Sequence, residues 1–159
     1  MGRGATFTVR LPLAPAAAGG SSSVPEESPH LAHALANRRV LLIEDVAATR
    51  RALSVVLQEA GAEVTAVDSA PAAWDALERE RPEIIVSDIG LPTIDGYTFI
   101  RQVRTTEKAL RTAPIPAVAL TAFAGNGIHD QALESGFQGC LTKPVTPARL
   151  VETLAALLK

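Results

Sequence analysis

Four apolar stretches in this chain each end on a polar residue of a different kind. Residues 40–43 run into Glu44 and Asp45, and residues 84–87 run into Asp88. Residues 117–120 run into Thr121, and residues 140–142 run into Lys143 and Pro144. If these stretches are parallel strands of one open sheet, their carboxyl ends lie together, in the crevice where such sheets bind ligands. Three carboxylates, a hydroxyl and an ammonium group would then face one another. Oxygen donors of this kind suit Mg²⁺, a hard cation that keeps several waters. Asp45 and Asp88 are the candidate direct ligands, and Glu44 would act through water. Clustered carboxylates repel one another, and a bound cation relieves that repulsion. Asp88 would then serve as a nucleophile toward phosphorus. Lys143 would neutralise one phosphoryl oxygen, and the Thr121 hydroxyl would donate to another. Catalysis of such a transfer is mainly positioning and charge stabilisation.

The elements that must carry these residues alternate from Arg38 onward. Residues 40–43 form a continuous apolar run, as expected of a strand buried on both faces. A helix is predicted over 47–60, with Leu53, Val56 and Leu57 on one face and Arg50 and Arg51 off it. Gly61 is placed to end it. A short strand follows over 63–67. Ser69 is expected to cap the next helix, with Pro71 in its first turn and Trp74 and Leu77 inward. Residues 84–87 are the most apolar run and read as a central strand. A helix over 96–108 turns Phe99, Ile100 and Val103 inward. Pro114 and Pro116 precede a strand over 117–120. A helix over 126–135 is closed by Gly136. The last strand, 140–142, leads to a helix capped by Thr146, with Pro147 at its first position. Five strands and five helices in strict alternation predict an α/β fold. It is a flavodoxin-like (βα)5 doubly wound parallel sheet with helices on both faces. The expected strand order is 2-1-3-4-5, and its switch point falls between the strands that end in Glu44-Asp45 and Asp88.

The 159 residues allow one domain and a tail. Apolar residues make up 47% and charged residues 20%, as in a soluble domain with a core. A net charge of -2 gives no basic surface for nucleic acid. Cys140 is the only cysteine, which excludes an internal disulfide or a cysteine metal cluster. No apolar run approaches the roughly 20 residues that span a bilayer, so direct membrane contact is not expected and a cytoplasmic location is. Residues 14–37 are rich in Ala, Pro, Gly and Ser and read as a flexible linker with a reach of roughly 25–30 Å. His30 and His33, in that stretch, and His129, on the fourth helix, read as surface residues. Trp74 reads as packing rather than a ligand platform.

The joint pattern resembles the receiver domain of the response-regulator family, over residues 38–159. That family carries an acidic pair after its first strand and a phosphoacceptor Asp after its third. A Thr or Ser follows its fourth strand and Lys-Pro its fifth. Glu44-Asp45, Asp88, Thr121 and Lys143-Pro144 match, and residues 87–97 resemble the loop around the phosphoacceptor. The resemblance implies Mg²⁺ held by Asp45, Asp88 and the Gly90 backbone carbonyl, and a cis Lys143-Pro144 peptide. It implies partners in a histidine kinase or a histidine phosphotransfer protein, and output through the face built by the fourth helix, fifth strand and fifth helix. One position departs from the pattern. The family usually carries Tyr or Phe three residues before the lysine, and Cys140 stands there. A thiol has neither the volume nor the amphipathic character of a ring. Phe137 is the nearby candidate for the missing aromatic.

Residues 1–13 are similar to the last glycine turn and strand of a histidine-kinase ATP-binding domain. On that reading the chain is the C-terminal end of a hybrid histidine kinase, and output passes through a partner or the parent kinase. A dozen such residues cannot bind ATP. Two other functions fit the same residues less well. Phosphatases of the haloacid-dehalogenase type also use an Asp nucleophile and Mg²⁺, but place a second Asp two positions on, where this chain has Gly90. A receiver-like interaction module without phosphorylation would not need the intact set of acids, Thr121 and Lys143.

Overall fold

The computed structural model describes residues 33–159. The segment 1–13 and most of the linker expected over 14–37, His30 included, lie outside the described residues. Strand β1 (Arg39–Ile43) is followed by α1 (Ala47–Glu59), β2 (Glu63–Val67), α2 (Ala70–Glu80) and β3 (Ile84–Asp88). Then come α3 (Gly96–Leu110), β4 (Ala117–Thr121), α4 (Asn126–Ser135), β5 (Gly139–Thr142) and α5 (Pro147–Leu157). The five strands form one parallel sheet in the order β2-β1-β3-β4-β5, as expected.

Successive side chains of a strand point to opposite faces, and the two faces bury different partners. Val40, Leu42, Ile84, Val86, Val118 and Leu120 pack with Leu53 and Leu57 of α1 and Leu150, Val151 and Leu154 of α5. Leu41, Ile43, Ile85, Ala117 and Ala119 pack with Ala73 and Ala76 of α2, Phe99, Ile100 and Val103 of α3, and Ala132 of α4. Burial on both sides is why β3 and β4 are unbroken apolar runs until their last residues. Fully burying one such Leu, Ile or Phe side chain contributes about 1.5–3 kcal/mol. Trp74 is half-buried and meets Phe99 edge-on, with ring centroids 5.6 Å apart, so it is packing.

Two expectations need correction. Ser69 occupies the N-cap of α2 but makes no capping bond; its hydroxyl donates instead to Asp68 Oδ1 at 3.0 Å. That bond turns the hydroxyl toward Asp68, and its oxygen accepts from no amide of the first turn. The folded unit also begins before Arg38. Leu35 is fully buried in the α1/α5 core, with its amide bonded to the Ala60 carbonyl and that of Asn37 to the Gly61 carbonyl. Those bonds dock the turn at 33–37 on the end of α1, where Gly61 takes a positive φ of 89°.

At the end of the sheet opposite the strand carboxyl ends, Arg104 ties three elements together. It pairs with Glu107 at 2.7 and 2.9 Å and donates to the carbonyls of Ile115 and Gly136 at 2.8 and 2.9 Å. The approaches to β4 and β5 are thereby fixed to α3, which sets where their far ends fall.

Candidate functional site

The in-register pairing aligns the carboxyl ends of the inner strands: Ile43 lies beside Ser87, Asp88 beside Leu120 and Thr121 beside Thr142. Each polar residue at or just past these ends therefore opens into the same crevice. Glu44 is wholly buried, Thr121 is 3% exposed and Asp88 is 8% exposed. Carboxylate oxygens of Glu44, Asp45 and Asp88 all lie within 4.8 Å of one another. Lys143 reaches across from the end of β5. Its Nζ donates to Glu44 Oε2 at 2.6 Å and to Asp88 Oδ2 at 2.9 Å. The Lys143-Pro144 peptide is cis.

Burial alone would lower the lysine pKa. The hydrogen bonds to Glu44 and Asp88, and their charges, outweigh it and hold Lys143 above its ordinary value. The ammonium thus stays charged at neutral pH. The remaining carboxylate oxygens are also used: Val46 N donates to Glu44 Oε1 at 3.3 Å and Gly90 N to Asp88 Oδ1 at 3.2 Å. A side chain at Gly90 would begin 3.8 Å from Asp88 Oδ2, at ordinary contact distance. An all-oxygen, anionic donor set of this density fits a hard divalent cation.

Thr121 is at the site, but its hydroxyl is engaged elsewhere. Oγ1 accepts from the Phe123 amide at 3.1 Å and donates to the Phe123 carbonyl at 3.4 Å. The Thr121 carbonyl in turn accepts from the Lys143 amide at 2.7 Å, linking the ends of β4 and β5.

Comparison with known proteins agrees with this geometry. Residues 40–155 match the response regulator receiver domain family. The chain belongs to that family. It is therefore a receiver domain of two-component signalling. A 14.6 kDa uncharacterized protein from the sodA1 3' region of Leptolyngbya boryana is 41% identical over 117 residues, covering 74% of this chain and 87% of that protein. The sensor histidine kinase GacS of Pseudomonas protegens is 33% identical over 116 residues, covering 73% of this chain but only 13% of that kinase. Among solved structures, the receiver domain of sensor histidine kinase PA1611 from Pseudomonas aeruginosa PAO1, with magnesium in its active-site cleft, is 32% identical. It superposes with a TM-score of 0.68 over 77% of this chain and 98% of that one.

Two residues beside the carboxylate cluster make contacts that their types do not announce. Arg50, one turn into α1, reads as a solvated side chain, yet its Nη1 donates to the carbonyls of Glu44 and Asp45 at 2.7 and 3.1 Å. Gly96 opens α3 with its amide bonded to the Ile89 carbonyl at 3.0 Å. A Cβ there would come within 2.9 Å of Ile89 Cα and closer still to the Asp88 carbonyl oxygen. Only glycine lets α3 start against the loop after Asp88.

Cys140 is half-buried against the α2/α3/α4 core, and burial pushes its thiol pKa up. That is the chemistry of a small hydrophobe rather than a reactive thiolate. Phe137 is 2% exposed and packed in the same core. Tyr97 is half-buried against the same core, and burial is the main cause that raises its phenol pKa. His33 and His129 are exposed, as expected. Among the described residues, no helix is long and apolar enough to cross a membrane.

Proposed function

We propose that this receiver domain accepts a phosphoryl group from a phosphohistidine onto Asp88 with Mg²⁺ bound. The observation that carries the reading is the Lys143 ammonium held between Glu44 and Asp88, beside a third carboxylate. An Asp88 oxygen attacks phosphorus, the P–N bond to the donor imidazole breaks, and the departing nitrogen is protonated from solvent. Glu44, Asp45, Asp88 and the Gly90 backbone carbonyl are the groups that would hold Mg²⁺. The cation would supply charge neutralisation to the transferring phosphoryl oxygens. Lys143 neutralises one of those oxygens. The Thr121 hydroxyl exchanges its Phe123 contacts for a hydrogen bond to another. That exchange releases the loop after β4 and biases a two-state equilibrium.

The donor is a histidine kinase or a histidine phosphotransfer protein, and output leaves through the face of α4, β5 and α5. The similarity to GacS, and that of residues 1–13 to a kinase strand, support a hybrid histidine kinase as the parent protein. The stretch from residue 14 up to the docked turn at 33–37 would then be the tether between kinase and receiver. On this reading the domain works in the cytoplasm, without contact to nucleic acid or membrane. An open reading frame for a kinase upstream in the genome would support that parentage; a stop codon directly upstream of Met1 would refute it.

The test of the chemistry is phosphorylation with a phosphohistidine donor and Mg²⁺. The expected result is one stable phosphoryl group per chain, absent in Asp88→Ala. Multiple-turnover hydrolysis of phosphomonoesters would instead mark the site as a phosphatase.

A further inference from the structure

We propose that Arg50 is a positioning residue for the cation site, fixing the Glu44-Asp45 turn from outside the carboxylate cluster. The proposal rests on the reading that this site takes Mg²⁺. Helix α1 starts without a side-chain cap, because its N-cap residue is Val46. The turn from β1 into α1 is held locally by a 3.3 Å bond from the Val46 amide to Glu44 Oε1, which leaves the Asp45 peptide to another group. Arg50 supplies that group from the first turn of the helix. Its Nη1 donates to both the Glu44 and Asp45 carbonyls, at 2.7 and 3.1 Å. From the other side, the Glu44 amide donates to the Val67 carbonyl at 3.1 Å. The two peptides that bear the acids are thus gripped at their main-chain atoms, which leaves both carboxylates directed at the cluster. Groups that orient metal ligands in this way commonly affect metal affinity as strongly as the ligands' own surroundings do.

The guanidinium has a second, opposite effect, since its charge repels an incoming cation. Arg50 is only half-buried, so solvent and salt screen that repulsion. Ligand spacing is not screened, and positioning is the larger effect. The two effects have opposite signs, and titration separates them.

Calorimetric titration of the full chain with Mg²⁺ alone, for wild type and Arg50→Met, tests the proposal. The dissociation constant should rise about tenfold in Arg50→Met. The Mg²⁺-induced rise in melting temperature should shrink in parallel. A merely structural role would lower the melting temperature without Mg²⁺ and leave the dissociation constant alone. If Arg50→Met does not fold, Arg50→Gln, which keeps a polar end without the reach, is read by the same criterion. A folded variant that binds Mg²⁺ as tightly as wild type, or more tightly, overturns the role of Arg50. Failure of the wild type to bind Mg²⁺ at millimolar concentration overturns the reading of the site itself.

Discussion

Lys143 Nζ lies 2.9 Å from Asp88 Oδ2 while also holding Glu44 Oε2 at 2.6 Å. One ammonium group therefore keeps Asp88 and a wholly buried carboxylate from facing each other uncompensated. Replacing it with Met should cost about 1–3 kcal/mol of stability, less than a fully buried pair because the lysine side chain is 23% exposed. The pH dependence has a definite sign. A lysine pKa raised in the folded state adds stability that is complete below the ordinary value of 10.5 and is lost as pH climbs through the raised one. Denaturant melts of wild type and Lys143→Met should differ at neutral pH and converge only in strong alkali. Convergence near pH 8 would contradict this pairing.

Asp45 completes the cluster, and its replacement tests the cation separately from the nucleophile. Asp45→Asn should weaken Mg²⁺ binding by about tenfold or more. The melting temperature without Mg²⁺ should match or exceed that of wild type, because one of three mutually repelling carboxylates is gone. A Mg²⁺-induced thermal shift that survives unchanged in Asp45→Asn would remove that residue from the site.

Gly96 decides how closely α3 can approach the Asp88 loop. Alanine is favoured over glycine in a helix by about 1 kcal/mol. The added methyl would meet backbone atoms of Asp88 and Ile89 that cannot yield, and overpacking of that kind costs about 1–3 kcal/mol. Gly96→Ala should therefore lower stability and slow phosphorylation. A melting temperature above that of wild type would show that the helix start has room to shift.

The Thr121 hydroxyl bonds both backbone groups of Phe123. In Thr121→Ala the Phe123 amide should lose its protection from hydrogen exchange, with a stability loss of about 0.5–1.5 kcal/mol. Thr121→Ser should retain most of the protection. Equal exchange in wild type and Thr121→Ala would mean the loop is held by something else.

Leu35 sets the start of the folded unit. Leu35→Ala should cost about 2–5 kcal/mol, as for other fully buried leucines, whereas Ala36→Ser, at an exposed neighbour, should have little effect. A neutral Leu35→Ala would return residues 33–37 to the linker.

Much of this architecture is legible in the residues. Buried parallel strands need continuous apolar runs, so the runs ending at Ile43, Ser87 and Leu120 mark the sheet. The polar residues that terminate them mark the crevice. What the sequence hides is long-range or competitive. Leu35 stands between Ala34 and Ala36 at the end of a stretch rich in Ala, Pro, Gly and Ser, and composition averages it away. Ser69 has the right type for a cap, but its hydroxyl is turned toward Asp68. Arg50 and Arg104 sit on helices where charge reads as solvated surface, and only tertiary approach gives their guanidinium groups carbonyl partners. The direction of the Thr121 hydroxyl depends on the loop after β4, which no periodicity describes.

The account stands most directly on which residue takes the phosphoryl group. After phosphorylation with acetyl phosphate and Mg²⁺, borohydride reduces an aspartyl phosphate to homoserine. Peptide mass spectrometry then locates that homoserine. The prediction is homoserine at position 88 alone, dependent on Mg²⁺ and absent in Asp88→Ala. Homoserine at another carboxylate, or a phosphoryl group that survives Asp88→Ala, would contradict the assignment.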